Sequence, residues 1–256
     1  MKPILVQLGP IPIQSFGLFL ILAFAIGIAL ARRRGGAIGI SPSQMLDIAL
    51  YMIIGGIGLS LLVGAAMNFS EVAQAPLRVF SVIGPSGPGF FVALVGALAV
   101  AAAYARSAKI GFRRFLDVIA PPITVGYAVA MIGALLAGSI YPAKATDVPW
   151  AVTVVFQEVH PVAIYLMLAS LGTYLVLRAQ ERADPAPGVI FFLWLFLFAV
   201  ARLAAEFFVD SSKVLGPLTI AQVLSLVVAV IAVIGLVLSN RRRLEPQTPA
   251  EPAGIP

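Results

Sequence analysis

The chain has 256 residues, of which 61% are hydrophobic and 11% are charged, whereas a soluble domain has roughly 45–50% apolar and about 25% charged residues. With a mean hydropathy of +1.03, this composition excludes a water-soluble globule. The absence of cysteine and the single histidine exclude disulfides, thiolate metal sites and multi-histidine metal sites. We therefore expect neither a metal nor another cofactor.

Seven charge-free windows of 17 residues or more divide the chain, and each is long enough for a helix that crosses a bilayer. The windows are uninterrupted apolar runs without alternation, which favours transmembrane helices over a β-barrel. The sequence thus predicts an all-α integral membrane protein, with one seven-helix transmembrane domain over 1–243 and a proline-rich, disordered cytoplasmic tail over 244–256. The predicted helices span residues 14–31, 47–67, 89–105, 117–140, 161–178, 188–207 and 218–239.

Small and acidic residues in these helices have structural interpretations. Glycines and alanines recur at spacings of three and four in the second and fourth helices, a pattern typical of close helix packing. Asp47 and Asp117 open the same two helices, where an acid favours the positive end of the helix dipole. We therefore expect packing faces and N-terminal capping at these positions.

The basic residues predict the orientation of the helices. Three consecutive arginines follow the first window, which places that end in the cytoplasm and the N-terminus outside, on the periplasmic side. Alternating sides from there assigns twelve Lys and Arg residues and the C-terminus to the cytoplasm, and four to the outside. Membrane orientation thus explains the net charge of +6, and we expect no nucleic-acid partner. The cytoplasmic set is Arg32, Arg33, Arg34, Arg106, Lys109, Arg113, Arg114, Arg178, Arg182, Arg241, Arg242 and Arg243.

Two charged residues remain inside the predicted sixth helix. Arg202 and Glu206 are four residues apart, so they share a helical face and can pair. A charge in hydrocarbon costs at least about 2.5–3.5 kcal/mol on insertion scales, which makes the pair a candidate functional site. An arginine suits a lipid phosphate because its fork donates two parallel hydrogen bonds. The alternative is that the pair only neutralises itself.

The single histidine, His160, precedes Pro161 at the outer start of the predicted fifth helix, and Tyr165 lies one turn further in. A histidine at this place could act as a general base or bind a lipid head group. A structural histidine at the membrane interface is the alternative. The same outside segment carries Trp150, a residue type that favours the interface.

Several segments together resemble the bacterial prolipoprotein diacylglyceryl transferase family, in the same order over about residues 8–240. Seven helices and an outside N-terminus also match that family. The resembling segments are LGPIPIQSFGLFLILAFAIGIALARRRG (8–35), KIGFRRFLDVIAPPITVG (109–126), DVPWAV (147–152), HPVAIY (160–165), ARLAAEFF (201–208) and GPLTIAQVLSL (216–226).

The resemblance implies a multi-pass protein of the bacterial inner membrane. Family members transfer diacylglyceryl from phosphatidylglycerol to the cysteine thiol of a prolipoprotein at the outer leaflet, without a metal. By this resemblance, Arg202 and Glu206 are counterparts of the family's essential arginine and glutamate near the lipid phosphate. His160 and Tyr165 match its segment of histidine, proline, two further residues, leucine and tyrosine. These four residues are the catalytic candidates of an active enzyme. Arg202, Glu206 and His160 are the candidate lipid site, and phosphatidylglycerol is the lipid that the resemblance implies.

The chain departs from the family at several polar positions. Diacylglyceryl transfer needs charge stabilisation and a proton acceptor, and loss of one preorganised donor costs about 3–4 kcal/mol of transition-state stabilisation. The departures are Phe16 for a tyrosine, Pro88 for a histidine, Met131 for an arginine, Ala134 and Ala137 for asparagines, and Ser139 and Leu166 for glutamates.

These replacements favour a catalytically degenerate member of the family, which binds a membrane phospholipid or serves as an accessory subunit beside other membrane proteins. An active phosphatidylglycerol–prolipoprotein diacylglyceryl transferase is the first alternative. A small-molecule transporter is the second, for which the sequence offers one intramembrane ion pair and no pair of broken helices.

Overall fold

A computed structural model describes residues 4–8, 11–74, 89–138, 141–154 and 156–244. Two of the departures from the family, Pro88 and Ser139, lie outside the described residues, as does the predicted tail from residue 245 onwards. The domain boundary at 243 and the disorder of the tail therefore stay predictions.

In the described ranges, seven helices are long and apolar enough to cross a membrane, which confirms the all-α integral membrane fold. The cytoplasmic or periplasmic side of each helix end stays a prediction. The helices are α1 (Ser15–Arg34), α2 (Pro42–Met67), the short α3 (Phe69–Gln74), α4 (Gly89–Ser107), α5 (Phe112–Ala137), α6 (Val162–Glu181), α7 (Val189–Glu206) and α8 (Ile220–Leu244), and all except α3 are candidate spans.

Both α2 and α5 begin before the predicted residues 47 and 117, at Pro42 and Phe112. The start of α2 is determined by a capping box, in which the Ser41 hydroxyl accepts the Gln44 N–H at 3.2 Å and the Gln44 side chain accepts the Ser41 N–H at 3.0 Å. An apolar window shows which residues lie in the hydrocarbon of the bilayer, whereas the caps determine where the helix begins and ends. A helix therefore continues through polar residues beyond the window.

Asp117 does not cap its own helix, because α5 begins five residues earlier, at Phe112. Its carboxylate instead accepts the backbone N–H groups of Gly188 at 2.6 Å and Phe191 at 2.8 Å, which cap the start of α7. Asp47 is exposed inside α2, whose cap is Ser41. The capping prediction was therefore wrong for Asp47, and for Asp117 it was wrong about which helix is capped.

Replacing Asp117 by alanine is expected to lower the unfolding free energy by about 2 kcal/mol or more, because hydrogen bonds to a charged acceptor contribute about 1.5–3 kcal/mol each. The two N–H groups at the start of α7 would lose their acceptor. Reversible unfolding of the purified protein in mixed micelles measures the change. The exposed Asp47→Ala is the matched control and should leave stability within about 0.5 kcal/mol of wild type. Equal effects of the two substitutions would contradict the capping role.

In the described part of the chain, three antiparallel hairpins precede membrane spans, and the charge-free windows did not predict them. Isolated bridges join Ala143 to Val209 and Ala145 to Val159, so the segments after α5 and α7 meet the segment before α6. These features lie at the end of the bundle where α1, α6 and α8 begin, called the hairpin end below. The hairpins are β1 (Ile4–Leu8) with β2 (Ile11–Gln14), β3 (Val152–Val154) with β4 (Gln157–Val159), and β5 (Lys213–Leu215) with β6 (Leu218–Thr219).

Helix α5 lies at the centre of the bundle and packs against α1, α4, α6 and α7. Glycine allows α1 to approach it closely, since a Cβ at Gly133 would lie 2.5 Å from Phe19 Cβ. Helices α2 and α4 meet in the same way, where a Cβ at Gly96 would lie 2.4 Å from the Gly55 carbonyl oxygen. The small-residue faces of the second and fourth predicted helices are thus packing faces.

Candidate functional site

The predicted ion pair lies in the last turns of α7, near the hairpin end. Arg202 is 2% exposed and Glu206 is 4% exposed. Arg202 Nη2 and Glu206 Oε2 are 3.6 Å apart, so the four-residue spacing brings the two side chains together as expected. Both charges are inside the protein rather than at its surface, so snorkelling to water does not explain them.

Helix α8 holds the glutamate of this pair. Thr219 Oγ1 donates to Glu206 Oε1 at 3.0 Å and accepts the Gln222 N–H at 3.2 Å. Gln222 Oε1 accepts the Thr219 N–H at 3.0 Å, so Thr219 and Gln222 form the capping box of α8. One carboxylate oxygen thus binds α8 while the other faces Arg202. Sequence analysis missed both residues, although the spacing Thr-x-x-Gln is the signal of a capping box.

The guanidinium of Arg202 has unused donors. Nη1 and Nη2 are both buried and neither has a partner at ordinary hydrogen-bond distance, although Nη2 faces Glu206 Oε2 at 3.6 Å and the Tyr127 side chain lies close enough to interact with the group. The ring of Tyr141 lies beneath the group, with its centroid 5.5 Å from Arg202 Cζ, which is cation–π distance. A buried donor without a partner costs roughly 1–3 kcal/mol, and more when it is charged, so this group is poised to bind an acceptor.

Helix α5 places both apolar residues and the Tyr127 side chain near the pair. Met131 is 1% exposed, and its Sδ accepts a weak hydrogen bond from the Tyr141 hydroxyl at 3.7 Å. Met131 and Ala134 belong to the same buried cluster as Ala205 of α7. The positions where the resembling family has an arginine and an asparagine are therefore part of the hydrophobic packing near Arg202.

The other two predicted site residues form a separate cluster at the hairpin end. His160 Nδ1 and the Tyr165 hydroxyl are 3.2 Å apart, and Trp150 Nε1 donates to the same hydroxyl at 2.9 Å. The ring of Phe208 packs against His160 and Tyr165 at centroid distances of 4.7 and 5.4 Å. Trp150 therefore has a hydrogen-bonded role beyond the interfacial one expected for it.

The two clusters are neighbours without direct polar contact. Among the described residues, no hydrogen bond or ion pair joins His160 or Tyr165 to Arg202 or Glu206. Tyr141 lies between them, because its ring faces Arg202 and it lines a small pocket of about 30 Å³ together with His160. The structure thus places the four predicted residues in one region but as two separate pairs.

A second, small pocket of about 10 Å³, which is room for about one water molecule, lies one to two turns deeper between α5, α6 and α7. It reaches Ala201, the neighbour of Arg202, and has a mixed lining of hydroxyls and aromatic rings. Its lining includes Thr124, Tyr127, Ser170, Thr173, Trp194 and Phe198. In the described ranges, no three His, Cys, Asp or Glu side chains are grouped so that they could hold a metal ion.

Fold and site together define a multi-pass α-helical membrane protein with a buried arginine–glutamate pair close to one membrane surface. The family model for prolipoprotein diacylglyceryl transferase matches residues 3–238, and the chain belongs to this family. Its bacterial relatives and its apolar helices make it a multi-pass protein of the bacterial inner membrane.

Individual relatives cover almost the whole chain. A protein of Trichormus variabilis is 27% identical over 98% of this chain and 94% of the relative. One from Geobacter sulfurreducens is 29% identical over 95% of this chain and 97% of the relative, and one from Bacillus cereus is 25% identical over 92% and 91%. All three are named phosphatidylglycerol–prolipoprotein diacylglyceryl transferase. The chain is therefore transferase-like over its full length.

Proposed function

We propose that this protein binds a membrane phospholipid, with the lipid phosphate on Arg202. The observation that carries the proposal is the pair of buried Nη atoms without hydrogen-bond partners on a side chain that is 2% exposed. A phosphate offers several acceptor oxygens, and the planar guanidinium fork suits it. The names of the relatives identify phosphatidylglycerol as their lipid, which supports a phospholipid as the ligand here.

The neighbours of Arg202 support a preorganised site. Glu206 orients the guanidinium and is itself held by the Thr219 hydroxyl, and Tyr141 supports the flat face of the group. A site held by packing and by second-layer hydrogen bonds loses less conformational entropy on binding.

We also propose that the protein does not catalyse diacylglyceryl transfer. In that reaction a thiol sulfur bonds to a glyceryl carbon while the carbon–oxygen bond to phosphate breaks, glycerol phosphate leaves with the electron pair, and a base takes the thiol proton. The departing phosphate needs more positive charge than the ground-state lipid does. Met131 and Ala134, which pack in the apolar cluster near Arg202, supply no such charge and no hydrogen bond to the phosphate.

An active transferase is the second candidate. The 25–29% identity to named transferases over nearly the full chain favours it. The His160–Tyr165–Trp150 cluster also favours it, because a histidine hydrogen-bonded to a tyrosine can accept a proton. In this candidate His160 would be the base and Arg202 the phosphate ligand.

Replacing Arg202 by glutamine is expected to reduce co-purifying phospholipid by about tenfold or more, since charged hydrogen bonds to phosphate are lost. Native mass spectrometry of the protein released from mild detergent measures the bound lipid. The exposed Arg114→Gln is the matched control and should retain the wild-type lipid content. Equal lipid content in wild type and Arg202→Gln would show that the pair only neutralises itself.

The two candidate functions predict different results in an assay of diacylglyceryl transfer. Purified wild-type protein with phosphatidylglycerol and a lipobox peptide should release no glycerol phosphate above the protein-free background. Release that disappears in His160→Ala and in Arg202→Gln would establish the active transferase instead. A phosphatidylglycerol–prolipoprotein diacylglyceryl transferase of the family, such as the Geobacter sulfurreducens relative, serves as the positive control.

A further inference from the structure

Large apolar side chains are exposed on two hairpins of the hairpin end, outside the membrane spans. All three residues of β5 are exposed, and Val214 and Leu215 have relative exposures of 65% and 64%. Consecutive strand residues point to opposite faces, so β5 presents apolar surface on both faces. In the turn between β3 and β4, the Phe156 side chain is fully exposed. Burial of such side chains is favourable, so an apolar environment at these hairpins would stabilise the protein.

The backbone of the β3–β4 turn does not explain why a phenylalanine stands at its tip. Phe156 has a φ of +65°, in the left-handed region that glycine and asparagine adopt readily and bulky residues rarely do. The β5–β6 turn has the expected residue, since Gly216 adopts a φ of +59° there. A strained residue with a fully exposed ring is typical of a site where the side chain itself is needed.

The β5–β6 turn lies close to the level at which α8 enters the membrane. Strand β6 has two residues, and Ile220 directly after it begins both α8 and the candidate span. A strand rises about 3.3 Å per residue, so Leu218 lies within about 7 Å of Ile220. Leu215 is paired with Leu218 across the hairpin. The polar layer on each side of the hydrocarbon is about 5–8 Å thick, so Leu215 lies in this layer or at its edge.

The β3–β4 hairpin is apolar at its turn but polar on its outward strands. Strand β4 ends at Val159, three residues before Val162, where α6 and its span begin. Thr153 and Glu158 form a directly opposed pair in the two strands, and both are exposed. An acid is costly in hydrocarbon, so only the turn with Phe156 is suited to enter an apolar layer.

We propose that these two turns anchor the hairpin end in the adjacent lipid leaflet, with Phe156, Val214 and Leu215 inserted between the head groups. The partner is a lipid surface, because the turns continue the exposed apolar surface of a span that begins at Ile220. Lys213 of β5 is exposed beside Val214, where its stem can lie along apolar surface while its ammonium reaches lipid phosphates. The anchors hold the hairpins against the membrane independently of a lipid on Arg202.

The test measures the depth of single probes, which is straightforward because the chain has no cysteine. Full-length Phe156→Cys and Leu215→Cys are labelled with a nitroxide, reconstituted in nanodiscs and exposed to oxygen, which enters lipid, or to a polar paramagnetic metal chelate, which stays in water. The exposed Thr153→Cys and Asp210→Cys are the matched controls, and Val227→Cys on an exposed face of α8 is the hydrocarbon reference. Relative to its control, each turn probe should collide with the chelate about tenfold less often, since a polar solute is disfavoured in hydrocarbon.

Each hairpin is decided by its own probe. Shielding from the chelate with access for oxygen, as at Val227→Cys, supports the anchor. Equal access of the chelate to a turn probe and its control places that turn in water and overturns the anchor there. Shielding from both reagents means that protein covers the turn, which overturns it as well. The labels have the same apolar ring at every position, so insertion driven by the label itself would appear in the controls. Repeating the measurement with Arg202→Gln should leave the depths unchanged, which separates the anchors from the proposed phospholipid site.

Discussion

Alanine at position 206 is expected to lower the unfolding free energy by about 3–5 kcal/mol, the range found when one partner of a buried ion pair is removed. Two interactions are lost together. Arg202 keeps its charge without an acid beside it, and the Thr219 hydroxyl loses its acceptor, which is the hydrogen bond that ties the start of α8 to α7. Unfolding of the purified protein in mixed micelles, followed by circular dichroism, measures the change.

Asp210→Ala is the matched control, because it removes an exposed acid four residues beyond Glu206 and should change stability by less than about 0.5 kcal/mol. The lipid composition of the micelle adds a second readout. In Glu206→Ala the remaining charge is positive, so phosphatidylglycerol should restore more stability than phosphatidylethanolamine does. A loss below about 1 kcal/mol in Glu206→Ala would mean that the buried pair does not hold α7 to α8.

Gly96→Ala is expected to destabilise the protein by about 2 kcal/mol or more, because inserting a carbon into a tight helix contact forces the backbones apart. The added Cβ would lie 2.4 Å from the Gly55 carbonyl oxygen and 2.9 Å from Leu59 Cβ. A flexible side chain could move away, but a helix carbonyl cannot. The expected result is a lower unfolding midpoint in detergent and faster proteolysis of the segment between α2 and α4.

Gly58→Ala tests whether this loss comes from the contact or from helix propensity. Gly58 lies in α2, the partner helix of α4 in this contact, and a Cβ there would meet nothing within 4 Å. Alanine is favoured over glycine within helices by about 1 kcal/mol, so Gly58→Ala should leave the midpoint unchanged or raise it. If both substitutions lower the midpoint equally, the close approach of α2 and α4 does not matter for stability.

The helical framework of this protein and the polar residues of its site are separate features. The packing glycines and the Asp117 cap contribute to the seven-helix framework of this chain. The resemblance assigns the chemistry of the family to polar side chains at a few positions inside that framework. At the described positions 131 and 134 this chain has a methionine and an alanine in an apolar cluster, so the framework and the Arg202–Glu206 pair are present without those polar groups.

Much of the fold could be predicted from charge spacing alone. A bilayer excludes charge over a thickness of about 20 helical residues, so each charge-free window reports one span. Helix starts were less predictable, as α2 and α5 show, because a helix continues into the interface until a cap ends it. The short hairpins were missed because strands outside the hydrocarbon do not produce a recognisable pattern of hydropathy.

Only part of the candidate site could be predicted from the sequence. Arg202 and Glu206 were evident because they lie on one helix, where a spacing of four residues determines their proximity. Thr219 and Tyr141 were not, since they come from segments 13 residues after Glu206 and 61 residues before Arg202. No local periodicity relates residues that are distant in the chain, so only packing brings them to the pair.

The sequence by itself determined the membrane class, the number of spans and the pairing within α7, because hydropathy and helical spacing are properties of local chain segments. The tertiary structure alone decided that Asp117 caps α7, that Thr219 holds Glu206, that the Arg202 Nη groups have no hydrogen-bond partner and that His160 belongs to a separate cluster. Each of these depends on which helices pack together. That choice is made by shape complementarity between side chains distant in the chain.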